Sequence, residues 1–115
     1  MHIETTTNAH DTIVRPAGEL DFSNAEGLML ALDAAVDAAP RGFILDLTEL
    51  EYMDSMGTSA MLAAYRKLEM AEGSLAVVVT DDTVLEMFET LGIRRLARLH
   101  LCSTIEEASR ALLSA

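Results

Sequence analysis

Leu75-Ala76-Val77-Val78-Val79 is an unbroken apolar run of strand length. Successive side chains of a strand point to opposite faces, so a run with no polar alternation belongs to a strand covered on both sides. Such strands occupy parallel sheets, and parallel neighbours require crossover helices. The flanking sequence supplies them. Thr58 to Ala71 is rich in Ala, Met and Leu, holds no proline, and is closed by Gly73. Thr80-Asp81-Asp82 offers caps to a second helix in which Val84, Leu85, Phe88 and Leu91 form one stripe and Gly92 is the C-terminal cap.

The same alternation extends in both directions. Phe43-Ile44-Leu45-Asp46-Leu47 reads as a strand, preceded by a helix that opens on the capping-box sequence Ser23-Asn24-Ala25-Glu26. Leu28, Leu32, Ala35, Val36 and Ala39 recur at helical spacing, Glu26, Asp33 and Asp37 fall outside the stripe, and Pro40 with Gly42 ends it. His2 to Thr7 and Thr12 to Ala17 flank the polar turn Asn8-Ala9-His10-Asp11 and form a hairpin. Pro16 places the end of the second strand at a terminus or an edge, with Gly18 to Asp21 leading out of it. Ala97 to Cys102 is a last strand, and Ser103-Thr104-Ile105-Glu106 opens a terminal helix whose inner face is Ile105, Ala108 and Leu112. The order β-β-α-β-α-β-α-β-α predicts one α/β domain over residues 1–115. Its sheet is mainly parallel with an antiparallel N-terminal edge, and about four helices cover it.

Half of the 115 residues are hydrophobic, enough for one core without a metal or a disulfide. The net charge of −11 opposes phosphate backbones and anionic lipid surfaces, which argues against nucleic acid and favours a protein partner. Cys102 is the single cysteine, so no intramolecular disulfide can form, and a reducing cytoplasm is expected. The start has neither a basic stretch nor an apolar signal core, and no run is long enough to span a bilayer, so no membrane insertion is expected. Neither Gly-x-Gly-x-x-Gly nor Gly-x-x-x-x-Gly-Lys-Ser/Thr occurs, and no cofactor is expected. His2, His10 and His100 are scattered without ligand spacing; they are assigned to the surface and no metal site is expected. Cys102 reads as a buried strand-end thiol rather than a nucleophile. With no base, nucleophile and oxyanion donor in a recognisable arrangement, no enzymatic activity is expected.

Function concentrates in Leu50-Glu51-Tyr52-Met53-Asp54-Ser55-Met56-Gly57, where an apolar strand gives way to a helix beginning near Met56 or Gly57. Ser55 has two readings. It is an N-cap, or it is an acceptor of phosphate, whose charge a helix start tolerates but which would repel Asp54, Glu51 and any acidic partner. Asp21, Asp46 and Asp54 are turn and helix-end carboxylates or, alternatively, a magnesium set; the loops after the second and third strands can bring Asp21 and Asp54 to one end of the sheet. Arg94, Arg95 and Arg98 are either a docking patch or partners of the chain's own carboxylates. Met61 is assigned to the core and Met56 to a contact surface.

Gly18-Glu19-Leu20-Asp21, then Ile44-Leu45-Asp46-Leu47 followed by Tyr52-Met53-Asp54-Ser55-Met56-Gly57, then Leu91-Gly92-Ile93, resemble in order and spacing the STAS domain of the anti-sigma factor antagonist (anti-anti-sigma factor) family. The resemblance covers nearly the whole chain. It implies a domain that, unphosphorylated, binds an anti-sigma factor serine kinase of histidine-kinase-like ATPase fold and frees a sigma factor. The partner then phosphorylates the serine, and a PP2C-type phosphatase restores it. By position Ser55 is the phosphoacceptor, Asp21 and Asp54 flank it, and Met56 and Gly57 lie in the binding surface with Thr58 and Ser59 of the first helical turn. Met56 stands where many members carry a second Ser or Thr. The alternative within the same resemblance is a STAS scaffold or accessory subunit of a transport or stress-sensing complex, in which Ser55 is only a cap.

Overall fold

In the computed structural model, which describes residues 2–115, Leu75 to Val78 of the apolar run lie in strand β5 (Ser74–Val78), every residue of which is buried, and Val79 follows it. It runs parallel between β3 (Gly42–Asp46) and β6 (Leu99–Cys102). On its other side β3 pairs in parallel with β2 (Thr12–Leu20), and β1 (His2–Thr7) closes the sheet as an antiparallel edge, giving the order β1-β2-β3-β5-β6. The absence of polar alternation in β5 now has its cause. Leu75 and Val77 face a large core with Val14, Phe43 and Leu45, while Ala76 and Val78 face a smaller one with Ile13 and Ile44.

The large core is closed by helices α1 (Ala25–Ala38), α2 (Ser55–Met70) and α3 (Asp82–Thr90), through Leu28, Leu32, Met61, Leu68, Val84 and Phe88. Each such side chain, fully buried, contributes about 1.5–3 kcal/mol relative to exposure. The small core is closed by α4 (Ile105–Ser114) alone, which sets Ala108 against the sheet with Ile105 and Leu112 at its margins. Small residues at Ala76 and Ala108 let helix and strand approach closely there.

The largest departure from the predicted order is an additional strand, β4 (Leu50–Met53), in what reads as a loop. Its two inward residues, Leu50 and Met53, bracket the exposed Glu51 and Tyr52, a pattern too short to show a strand period. β4 pairs in parallel with the end of β2, so β2 runs on to Leu20 instead of stopping at Ala17. Pro16 therefore lies inside a strand. It is tolerated because the parallel side of β2 changes partner around it, from β3 at Ile13 and Val14 to β4 from Gly18 onward, where a missing N–H breaks no continuous ladder. Gly18, the first residue paired with β4, has a φ of 97° that suits glycine, and the β2–β4 register shifts between it and Glu19.

The helix starts also differ in detail. At α1 the cap position falls on Asn24, without a side-chain cap bond, and Ser23 does not form the predicted box with Glu26. Asn24 instead donates to the Glu19 carbonyl at 2.8 Å and accepts from the Asp21 N–H at 3.0 Å, so the loop closes on itself. At α4 the reciprocal pair is one residue later than predicted. Thr104 accepts from the Glu107 N–H at 3.1 Å and Glu107 accepts from the Ser103 N–H at 2.7 Å. Asp81 caps α3 through the Val84 N–H, as expected. Leu91 lies beyond the end of α3 and is half exposed, and Ile93, in the 3-10 turn Ile93–Arg95, is buried instead; β6 accordingly begins at Leu99, not Ala97. The left-handed residue after α2 is Glu72, and Gly73 is required for a different reason: a Cβ there would stand 2.2 Å from the Pro40 carbonyl oxygen.

His100 is only in part the surface residue expected from sequence: it is half-buried on β6, with its Nε2 buried and without a partner. The Cys102 thiol is half-buried, and burial first, then the charge of Glu107, pushes it above its ordinary pKa, so it stays protonated at neutral pH. Asp46, at the end of β3, is buried and accepts from the Arg15 guanidinium at 2.8 Å, the Thr48 N–H at 3.0 Å and the Thr48 hydroxyl at 2.7 Å. Burial pushes this carboxyl up, but the Thr48 N–H, Arg15 and the Thr48 hydroxyl outweigh it and hold it below the usual carboxylate range. A carboxylate depressed in the folded state stabilises above its unfolded pKa, and that contribution is lost as the pH falls through the folded value. Asp46→Asn is expected to lower stability at pH 7 by about 2 kcal/mol. The difference from the unsubstituted chain should shrink below about pH 4; urea unfolding at both pH values checks it.

Candidate docking site at the start of helix α2

Leu20 organises this end of the sheet. As the last residue of β2 it accepts, through its carbonyl, the Asp54 N–H at 3.1 Å, which joins the end of one strand to the residue that opens α2. Its buried side chain lies where any side chain at position 57 would have to go, since a Cβ on Gly57 would be 2.6 Å from Leu20 Cδ2 and 3.2 Å from Met53 Cγ. Gly57 is thus dictated by close approach of the helix to β2 and β4, and it is buried rather than open to a partner.

The cap of α2 is Asp54, not Ser55. Asp54 is in an extended conformation, and its Oδ1 accepts from the Met56 N–H at 2.9 Å and the Gly57 N–H at 3.2 Å. A carboxylate serves this position better than a hydroxyl because it also complements the positive helix end. Ser55 is then the first helical residue, one position earlier than the predicted start, and it is exposed. Met56 beside it is 50% exposed, and Ser59, one turn on, is exposed as well. Thr58 turns inward. It is buried, with its hydroxyl donating to the Asp54 carbonyl at 3.3 Å and lying 3.8 Å from the Met87 sulfur of α3.

Asp21 follows Leu20 directly, so the Leu20–Asp54 bond brings Asp21 and Asp54 to the same end of the sheet. One Asp21 oxygen accepts both the Ser23 hydroxyl at 2.5 Å and the Ser23 N–H at 2.9 Å, and these two bonds hold its carboxyl below the usual range. Asp46 does not join this pair, being taken up by Arg15 and Thr48. Of the arginine cluster, Arg94 is ion-paired with Glu89, and Arg98 donates to the Glu72 carbonyl at 2.8 Å.

Two aromatic residues stand exposed here: Tyr52, present in the Ser55 stretch but given no role by the sequence, and Phe22, not singled out by it. Phe22, between Asp21 and Ser23, is 78% exposed, and Tyr52 of β4 is 52% exposed. The chain has only five aromatic residues, three Phe and two Tyr, and the other three are buried. A phenylalanine flanked by polar loop residues, outside every apolar stripe, was the available signal. The surface around Ser55 thus combines an exposed hydroxyl, large apolar side chains and carboxylates, a composition suited to contact with a protein.

The STAS domain family model matches residues 2–108. The anti-sigma-B factor antagonist of Listeria monocytogenes is 33% identical over 79 residues, 67% of this chain and 68% of that protein. Alignments to the first curated relatives span 65 to 68% of their length. Among solved structures, an anti-sigma factor antagonist from Mycobacterium paratuberculosis superposes with a TM-score of 0.87 at 24% identity, covering 97% of this chain and 93% of that one. The Bacillus cell fate determinant SpoIIAA in its phosphorylated form superposes with a TM-score of 0.71 at 24% identity, covering 93% and 96%. At those identities the two structures speak for the fold, and no helix of the described residues is long and apolar enough to cross a membrane. The family match over nearly the full length, the Listeria relative and the six-stranded sheet with its antiparallel edge agree: the chain belongs to the STAS domain family, in its anti-sigma factor antagonist branch.

Proposed function

We propose that the chain is a phosphorylation-gated antagonist. Its unmodified α2 surface binds an anti-sigma factor serine kinase of histidine-kinase-like ATPase fold and frees a sigma factor; phosphate on Ser55 ends the binding, and a PP2C-type phosphatase restores it. The observation that carries this reading is the division of labour at the helix start: Asp54 satisfies the first-turn N–H groups, and the Ser55 hydroxyl, not needed for the cap, faces solvent. The bare capping role thereby loses its main support. Asp21, Asp54, Met56, Gly57, Thr58 and Ser59 are proposed to form the contact region with Ser55, Met56 and Ser59 by direct contact, and the buried Gly57 and Thr58 by fixing the helix start.

The division of labour is directly measurable. Ser55→Ala should leave stability within about 0.5 kcal/mol of the unsubstituted chain, whereas Asp54→Ala should cost about 1 kcal/mol through loss of the cap. Thermal or urea unfolding of both variants decides it, and the reverse ranking would return Ser55 to the role of cap.

The gate is tested by capture from native lysate in the presence of ADP and magnesium, with the unsubstituted chain and Ser55→Glu as parallel baits. An anti-sigma factor of ATPase fold is expected on the unsubstituted bait and lost from the glutamate bait, since an unpaired charge placed in a docked interface costs several kcal/mol. Equal recovery of transport-complex subunits on both baits would replace the switch with a scaffold role indifferent to Ser55.

A further inference from the structure

Between β4 and the first turns of α3 lies a cleft of about 130 Å³ lined by Glu51, Tyr52, Met53, Asp81, Val84 and Met87. That is well below the roughly 300 Å³ at which sites for cofactors and drug-sized ligands begin, and it suits a single extended side chain. Its walls are apolar where they are deep: Met53 and Val84 are buried, and Met87 is half-buried with its sulfur beside the Thr58 hydroxyl of α2. Its rim is acidic and aromatic, with Glu51, Asp81 and Tyr52 all exposed. Asp81 uses Oδ1 to cap α3 at the Val84 N–H, which leaves its other oxygen for a ligand.

Charge distinguishes this cleft from its neighbours. Three other clefts of the surface each contain an arginine of the chain itself, Arg66, Arg41 or Arg98. Here two carboxylates line the opening and no basic residue does. A ligand with an apolar stem and a cationic head complements both parts.

We propose that this cleft receives one arginine side chain of a docking protein, its stem lying on Met53, Val84 and Met87 and its guanidinium between Glu51 and Asp81 against the ring of Tyr52. Arginine is favoured over lysine because its head is planar, stacks on an aromatic face, bonds two acceptors at once and is more weakly hydrated. β4 leads directly into Asp54 and Ser55, so an arginine held here would set the partner's position over the start of α2. The inference rests on the docking reading given above and adds to it the chemistry of one contact.

The first probe is N-acetyl-arginine N-methylamide, titrated into the chain carrying methyl-labelled methionine, with the neutral citrulline analogue as control. Saturable shifts of the Met53 and Met87 methyl signals are expected at millimolar concentration with the arginine compound alone, reduced at least threefold in apparent affinity by Glu51→Gln. No saturable shift up to about 50 mM, or equal shifts with citrulline, would overturn the subsite. The second probe is a purified anti-sigma factor of ATPase fold, for which Glu51→Lys should lower affinity roughly tenfold or more. Loss of this partner on Ser55→Glu with full retention on Glu51→Lys would leave the docking reading standing and overturn the arginine contact. Arginine-specific shifts in a chain whose partner ignores Ser55→Glu would do the opposite.

Discussion

The bond from Asp54 N–H to the Leu20 carbonyl, with the Leu20 side chain against Gly57, is the contact on which the functional end of the molecule depends. β2 must serve two parallel partners in turn. Its first half binds β3 inside the sheet, and its second half, from Gly18 onward, binds β4. That diversion carries β2 to a point where its last carbonyl can meet the start of α2. The change of partner along β2, closed by the Leu20–Asp54 bond, thus makes the two loops neighbours.

Much of this architecture was legible in the chain. Long or strongly patterned segments declared themselves, as with Leu75 to Val79, the Leu28-Leu32-Ala35-Val36 stripe and the Ile105-Ala108-Leu112 face, because burial leaves a periodic trace in residue type. What escaped notice was set by tertiary contact. β4 has two inward residues and no period to detect, and Pro16 marked a change of partner rather than a strand end. The capping residue at α2 was mistaken by one position because Asp54 and Ser55 are both good caps, and only the extended backbone at Asp54 selects between them. Phe22 and Tyr52 carry no local signal of exposure beyond their polar neighbours. The order of motifs placed Ser55, Asp21 and Asp54 in one region; it did not show that Gly57 and Thr58 face inward.

Charge on this surface has a different meaning for folding and for docking. Within the chain, a negative group at the first residue of α2 meets the positive end of the helix, an interaction worth about 0.3–1 kcal/mol on an exposed surface, which offsets part of its water-screened repulsion from Asp54. Across an interface there is no such offset. A unit charge about 6 Å from a like charge, at an effective dielectric of about 20, is opposed by about 3 kcal/mol, and phosphate brings nearly two. On the proposed reading the same position would therefore tolerate phosphate in the free protein and reject it in a complex whose facing side has no cation to spare. This asymmetry follows from Ser55 lying on the first turn while Asp54, not Ser55, holds the cap: the hydroxyl can change its charge without the helix losing its start.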